Sequence, residues 1–324
     1  MSFLADEIQK VRTKFRCEDP ELNTSVVEFR LKIRDKLATL KKENNLRVFD
    51  EIRDIYLGGA LRGNRNSRQI YEINNPCQVL VRTAYFEKKS LEVPYFRAVF
   101  NTRNRAIVNA AEVDSPIRMV AYEAPLMRQN KGRNSRAVSC DLIGISTDNC
   151  VMCIEGKVRP ESQATDIVYG LLEGFAYGVC VDYYLSDVDS RVLFEHELQA
   201  CWSEFQPEPF NINTNELTAG FALAAPKEYF SDYFTDRVMT RLKANRRIEE
   251  AERLLEIFKN IGMSPVWKGF LICDPSCDNG AFQEQHATII RNNHECCVPL
   301  FNADELNVTS GFSLDDLRVL MTPK

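Results

Sequence analysis

Histidine is scarce in this chain, with three residues in 324, at positions 196, 286 and 294. No Ser-His-Asp set is indicated, and neither a G-x-S-x-G elbow nor a G-x-x-x-x-G-K-[S/T] loop occurs, so serine-based acyl transfer and P-loop nucleotide hydrolysis are disfavoured. No run of 18 or more apolar residues is present, which argues against a membrane-spanning helix and a membrane partner. The first ten residues, MSFLADEIQK, carry acids where a secretory signal needs a basic stretch and then an apolar one. A cytoplasmic location is therefore expected, and the eleven cysteines read as reduced thiols. Helix-turn-helix and zinc-finger signatures, internal repeats and low-complexity segments are also missing.

What is present is a globular composition, 44% hydrophobic, with a formal net charge of −5 that conceals a division. Through Ala137 there are 26 lysines and arginines against 17 acids, and beyond it 15 against 29. The overall charge argues against a protein that sticks generally to nucleic acid. The asymmetry, however, can mark a phosphate-facing half. Its densest uncompensated cluster is Arg128, Lys131, Arg133 and Arg136. These four are assigned to phosphate contact, the alternative being a solvated hairpin tip.

Hydrophobic spacing predicts helices over Ser2–Arg16 and Thr24–Lys42, the second capped by Asn23 or Thr24. Cys77–Tyr85 alternates like a strand, Pro94–Phe100 reads as extended and Arg105–Ala111 as a short helix. Three strands then begin near Ile117. Pro160 and Ser162 open a helix with Ile167, Val168, Leu171, Leu172, Phe175, Val179 and Cys180 on its apolar face. Ser186–Thr218, with Pro207 and Pro209, reads as an acidic, irregular insertion. A strand over Gly220–Ala225, a helix over Val238–Ile261 capped by Asp236 and ended by Gly262, and a strand over Val266–Cys273 complete the series. The expected architecture is α/β, a mixed, partly parallel sheet flanked by helices. Its divisions are a basic, mainly helical region at 1–115, a core at 116–275 with an insertion at about 186–218, and a C-terminal extension at 276–324.

The chemistry concentrates in the core. Glu123 stands in YEAPL, Asp141 in SCDLIGIS, and Glu155-Gly156-Lys157 in VMCIEGKV. Residues i and i+2 of a strand project to one side, so Glu155 and Lys157 enter one cleft while Gly156 turns away. With Asp141 on the neighbouring strand, two carboxylates converge, as a hard divalent cation bound through oxygen requires. The triplet alone says little, because this composition yields about two acid-x-Lys triplets by chance. Two occur. The other, Glu87-Lys88-Lys89 with Glu72 before it, is interrupted by Pro76 and followed by Pro94, which does not suit a central strand. The Asp141 and Glu155 runs are apolar on both faces and lack proline, as strands buried between helices are.

Glu, then Asp in an apolar strand, then Glu-x-Lys on the next strand, then an amphipathic helix: this order resembles the PD-(D/E)xK nuclease superfamily, particularly its RecB-like branch, over about half of the chain. The resemblance implies a restriction-endonuclease-like core and a nuclease that hydrolyses phosphodiesters, with DNA favoured over RNA. It implies Mg²⁺, with Mn²⁺ able to substitute, held by Asp141, Glu155 and the carbonyl of Gly156. Lys157 would orient or activate water, Glu123 would join through water or a second ion, and Gln163 and Tyr169 would be accessory residues on the helix. A catalytically silent relative, binding nucleic acid or serving as an assembly scaffold, is the alternative. Retention of Asp, Glu and Lys argues against silence. A homo-oligomer is left open.

Cysteine offers the rival signal. Cys150 and Cys153 would be a metal knuckle on a turn, but in a strand they point to opposite faces. The late set of Cys273, Cys277, His286, His294, Cys296 and Cys297 has donors enough for a structural zinc. Some RecB-like nucleases hold an iron–sulfur cluster on such cysteines, but their spacing is not reproduced. Free buried thiols are the expectation.

Overall fold

The apolar runs that bracket the motif are strands buried on both faces. In the computed structural model, Cys150–Gly156 is buried at every position and Thr218–Ala225 at all but its first residue. The structure describes residues 3–46 apart from 18 and 45, 78–80, 96, 99–100, 106–109, 112–128, 137–158, 166–226 apart from 207–208, 229, 241–275, 285–291, 294–302 and 306–312. Side chains at 78–80, 106–116, 128, 137, 204–205, 241–248 and from 272 onwards fall outside the description.

The elements in chain order are α1 (Phe3–Arg16), α2 (Leu22–Lys42), β1 (Gln78–Leu80), β2 (Ala106–Asn109), β3 (Glu112–Arg128), β4 (Ala137–Ile145), β5 (Cys150–Gly156), α3 (Ile167–Ser186), α4 (Val188–Phe205), β6 (Thr218–Ala225), α5 (Arg241–Ile261), β7 (Val266–Pro275), β8 (Gln285–Arg291), β9 (His294–Asn302) and β10 (Leu306–Phe312). Seven strands form one mixed sheet in the order β10-β7-β6-β5-β4-β3-β2. β2 to β5 are successive antiparallel neighbours, whereas β5 with β6 and β6 with β7 are parallel. A parallel step needs a crossover, and α3 and α5 supply the two helices that make it. β10 returns antiparallel to β7, and β1, β9 and β8 form a separate three-stranded sheet. The fold is α/β, as expected.

Helix α3 is the centre of the packing. It lies on β5 and β6 and meets α1, α2, α4 and α5. Its sheet-facing stripe is glycine: added Cβ atoms would stand 2.9 Å from Leu223 Cδ1 at Gly170, 3.4 Å from Glu155 Cβ at Gly174 and 2.7 Å from Pro265 Cβ at Gly178. Side chains there would hold the helix away from the sheet. Phe29 and Phe258 flank Phe175 at ring centroid distances of 6.2 and 4.7 Å, joining α2 and α5 to α3.

Several expectations are corrected. The first part of the proposed insertion, Val188–Phe205, is an 18-residue helix rather than irregular chain. Asp187 caps it by accepting from the Ser190 amide at 3.0 Å, and Arg191 and Glu195 pair four residues apart along it. The prolines at 207 and 209 lie beyond its end. Arg105–Ala111 contains strand β2, not a helix, paired with β3. Residues 96, 99 and 100, expected to be extended, are helical. Helix α2 begins at Leu22, before the proposed Asn23 or Thr24 cap, and Asp19 accepts from the Glu21 amide at 2.8 Å ahead of it. Gly262 ends α5 at φ 59°, a left-handed conformation that glycine adopts at little cost. The proposed Asp236 cap, Pro160 and Ser162 lie outside the described residues.

Candidate active site

Strand β5 carries Glu155 at its penultimate position, and Lys157 follows directly, its amide donating to Ala224 O at 2.9 Å. That bond extends the parallel ladder with β6 and fixes the backbone on which the lysine sits. Both side chains project towards α3. Glu155 Cβ lies 3.4 Å from where a Cβ on Gly174 would be, and Lys157 Cε lies 3.2 Å from the same point on Gly170. Gly156 faces the opposite side, where a Cβ would collide with the Phe96 ring at 2.1 Å. The same-side reading of Glu155 and Lys157 is thus what the strand produces. Neither side chain is more than 5% exposed.

Asp141 reaches this point from β4. The β4–β5 ladder runs from Ile145↔Val151 to Leu142↔Ile154. One residue further along, the amide of Gly156 donates to Asp141 Oδ2 at 2.8 Å. The carboxylate therefore adjoins the residue between Glu155 and Lys157, and it is half-buried. Glu123 lies across the other edge of β4, between the pairs Tyr122↔Leu142 and Ala124↔Cys140, in register with Asp141. Its φ is 45°, left-handed for a non-glycine residue within a strand. Such a conformation costs on the order of 1–3 kcal/mol and persists only where the surroundings impose it.

Two residues not singled out from the sequence complete the cluster. Lys157 Nζ hydrogen-bonds to Glu155 Oε1 and, at 3.2 Å, to Glu173 Oε2 on α3. Tyr177 donates its hydroxyl to Glu173 Oε1 at 3.1 Å. Burial raises the Tyr177 pKa well above the usual tyrosine value, and the charges of Glu173, Glu155 and Asp141 reinforce it, so the phenol keeps its proton as a donor. The signal available in the sequence was the i, i+4 spacing of Glu173 and Tyr177 beside Gly170 and Gly174 on one helix face.

Comparison of the chain with family models, with curated proteins and with solved structures returns no match. The site therefore stands on its own geometry.

Tyr169, expected as an accessory residue, is half-buried at the start of α3 with Arg12 Cζ 5.9 Å from its ring centroid. Burial, followed by the nearby Glu173 charge, pushes its pKa up to about 12. Arg12 comes from α1 and pairs with Asp166, the residue that caps α3 by accepting from the Tyr169 amide at 2.7 Å. Gln163, Lys131, Arg133, Arg136 and the side chain of Arg128 lie outside the described residues. Arg128 and Ala137 pair as the ends of β3 and β4, so residues 129–136 connect two antiparallel neighbours.

Among the described residues no group of three or more His, Cys, Asp or Glu side chains is gathered closely enough to hold a metal ion. Mg²⁺ asks for less, since it commonly binds through one or two carboxylates and keeps several waters. Asp141, Glu155 and the Gly156 carbonyl are hard oxygen donors and fit that requirement. The described cysteines do not compete. Cys140, Cys150, Cys153, Cys180 and Cys201 are buried thiols outside any disulfide, and burial pushes those of Cys140, Cys150 and Cys180 above the usual range. Of the late set, Cys277 and the other side chains lie outside the description. Among the described residues no helix is long and apolar enough to cross a membrane.

Proposed function

We propose that this protein is a Mg²⁺-dependent nuclease with a restriction-endonuclease-like core, acting on nucleic acid, DNA before RNA. One observation carries the reading. Asp141 from β4 is bonded to the amide of Gly156, between Glu155 and Lys157, which share one face of β5. That bond ties Asp141, 14 positions before Glu155, to the strand that carries Glu155 and Lys157, which supports reading the three as one site. The element order supports it too, because Glu123 on β3, Asp141 on β4, Glu155 and Lys157 on the next strand and then helix α3 follow in the order that the resemblance implies. The left-handed Glu123, in register with Asp141, adds the backbone strain that functional sites concentrate.

Asp141, Glu155 and the Gly156 carbonyl would hold Mg²⁺, which when bound polarises a phosphoryl oxygen and makes water more acidic. Lys157 places an ammonium beside that position, donating to the phosphate as negative charge grows on it and orienting water for attack. Glu155 and Lys157 are almost wholly enclosed by β5 and α3, so the phosphodiester approaches from the half-exposed side of Asp141 and Glu123. Arg128, Lys131, Arg133 and Arg136, on or between the ends of β3 and β4, would contact phosphates further along the strand.

A specific observation favours the second reading, a silent scaffold: Lys157 neutralises Glu155 in a dry, closed pair, as an ion pair with a purely structural role would. Incubating the protein with circular single-stranded DNA, linear duplex and RNA, in Mg²⁺, Mn²⁺ or EDTA, decides between them. Cleavage in either cation and none in EDTA is expected. Binding without cleavage of any substrate would select the scaffold.

A further inference from the structure

We propose that Glu173 is a positioning residue for Lys157, the second seat on which the ammonium rests once Glu155 turns its oxygens to a cation, with Tyr177 holding that seat in place. The inference rests on the nuclease reading and concerns the same site. Lys157 bridges Glu155 and Glu173 across the β5–α3 junction, its ammonium 3.2 Å from Glu173 Oε2. The other oxygen of Glu173 accepts from Tyr177 at 3.1 Å, so both oxygens of the carboxylate are engaged and its plane is set from within α3.

The surroundings make this a built arrangement rather than a chance contact. Gly170 and Gly174 flank Glu173 on the sheet-facing side of the helix, and the lysine stem runs past Gly170, within 3.2 Å of a Cβ that is not there. Lys157 is 5% exposed and cannot turn to bulk water when it leaves Glu155. A buried ammonium stripped of its partner is strongly unfavourable. Were Glu155 the sole anion at hand, its oxygens would have to serve the ammonium and a cation together. Glu173 removes that competition. It keeps Lys157 at a fixed point beside the Asp141–Glu155 pair, where the phosphate charge develops.

The test is a double-mutant cycle read by calorimetric titration of the full chain with Mn²⁺ or Mg²⁺. Glu173→Gln removes the charge of the second seat and should weaken cation affinity roughly tenfold, the scale of a hydrogen bond to a charged group. Tyr177→Phe should weaken it about two- to threefold, the scale of a neutral hydrogen bond partly lost. In a Lys157→Ala background Glu173→Gln should change affinity by less than about twofold, because Glu173 acts through the lysine. In cleavage assays Glu173→Gln should lower kcat while leaving nucleic-acid affinity in EDTA unchanged. A tenfold loss that persists without Lys157 would make Glu173 a cation ligand and overturn the proposal. If Lys157→Ala fails to fold, the decision falls to the other two variants, and parental cation affinity in both overturns it equally. A parent that binds no cation and cuts nothing would instead sink the nuclease reading, and this inference with it. A parent that binds and cuts, with Glu173→Gln indistinguishable from it, would remove the inference alone.

Discussion

Charge fastens α3 at both ends, and the two fastenings differ in kind. At the C-terminal end Arg30 and Arg34 reach Asp182, and Lys41 reaches Asp187 and Asp189, with side chains that are all 15% exposed or more. Such wet pairs contribute about 0–1 kcal/mol each and serve mainly to set how α2 lies along α3. At the N-terminal end Arg12 meets Asp166 with 2% and 3% of the side chains exposed, and Lys157, already paired within β5 to Glu155 at 5% and 4% exposure, reaches Glu173 of the helix. There the desolvation of each ion rivals its attraction to its partner, so apolar residues of similar volume would hold the helix at least as well. Stability alone does not account for one dry pair capping the helix and another lying directly beneath its first turns. Buried, tightly partnered ionisable groups are instead characteristic of sites where charge takes part in chemistry.

The sharpest break in the comparison comes from the motif itself. Asp141→Ala and Glu155→Ala should each lower the cleavage rate by ~10²-fold or more, the scale of deleting an electrostatic catalytic group. Of the two, Asp141→Ala is the cleaner change because Asp141 is half-buried and carries its bond at the rim of the site. Single-turnover kinetics with binding measured in EDTA separates chemistry from affinity. In EDTA Asp141→Ala should bind nucleic acid at least as tightly as the parent, since one phosphate-repelling charge is gone. Equal cleavage by these variants and the parent would remove the site from this place.

Next in size is Arg12→Ala. It leaves Asp166 buried without its guanidinium and loosens the cap of α3, a loss of about 3–5 kcal/mol when one partner of a buried pair is removed. Replacing Arg34 by Ala at the wet end should cost no more than about 1 kcal/mol. Denaturant unfolding of the two variants measures the contrast directly. Similar losses would show that the two ends of α3 are held alike.

The parts of this fold that announce themselves in the sequence are those whose side chains do the packing. β4, β5 and β6 read as strands because apolar residues occupy both faces without proline, and α1 reads as a helix because Leu4, Ile8, Val11 and Phe15 recur at three and four. Asp141, Glu155 and Lys157 could be placed together because strand period and adjacency decide the matter. What escapes is carried by residues with no side chain or by distant partners. The face of α3 against the sheet is glycine at 170, 174 and 178, which hydrophobic periodicity does not register. Glu173 reaches Lys157 only once α3 turns back over β5. Arg12 lies 154 residues before Asp166, and no spacing rule joins them. Helix α4 was hidden by the prolines that follow it, and its Val188, Val192 and Leu193 are exposed, so the helix shows no clean apolar stripe. The rival triplet at Glu72, Glu87 and Lys89 lies outside the described residues.

Two glycines separate packing from chemistry within α3 itself. At Gly178 an added methyl meets the rigid ring of Pro265 at 2.7 and 2.8 Å. Overpacking of ~1–3 kcal/mol there should exceed the helix propensity gained, about 1 kcal/mol. Gly178→Ala should therefore unfold at lower denaturant and cleave normally while folded. At Gly170 the methyl meets the flexible end of Leu223 and the stem of Lys157. Stability should hardly change, whereas cleavage should fall because the lysine is displaced. Identical behaviour of the two variants would show that the slot beside Gly170 does not position Lys157.

The smallest effect belongs to the wet end. Asp187 ends α3, caps α4 through the Ser190 amide and hydroxyl, and pairs with Lys41. The Lys41 bond, then those from Ser190, hold its pKa below the ordinary aspartate value of 3.8 despite partial burial. A carboxyl whose pKa is depressed by folding contributes stability above its unfolded pKa and loses it as pH falls through the lowered folded value. The contribution is therefore complete at pH 7 and fades only below about pH 4. Asp187→Ala should cost ~1 kcal/mol at neutral pH, the usual worth of an N-cap. Its melting temperature should then converge on the parent's as the pH falls through the lowered folded pKa, because the parent carboxyl then becomes protonated and its bonds as a charged acceptor are lost. A gap that stays constant from pH 7 to pH 2 would mean that Asp187 supports α4 through packing rather than through its charge, and the wet end of α3 would owe little to electrostatics.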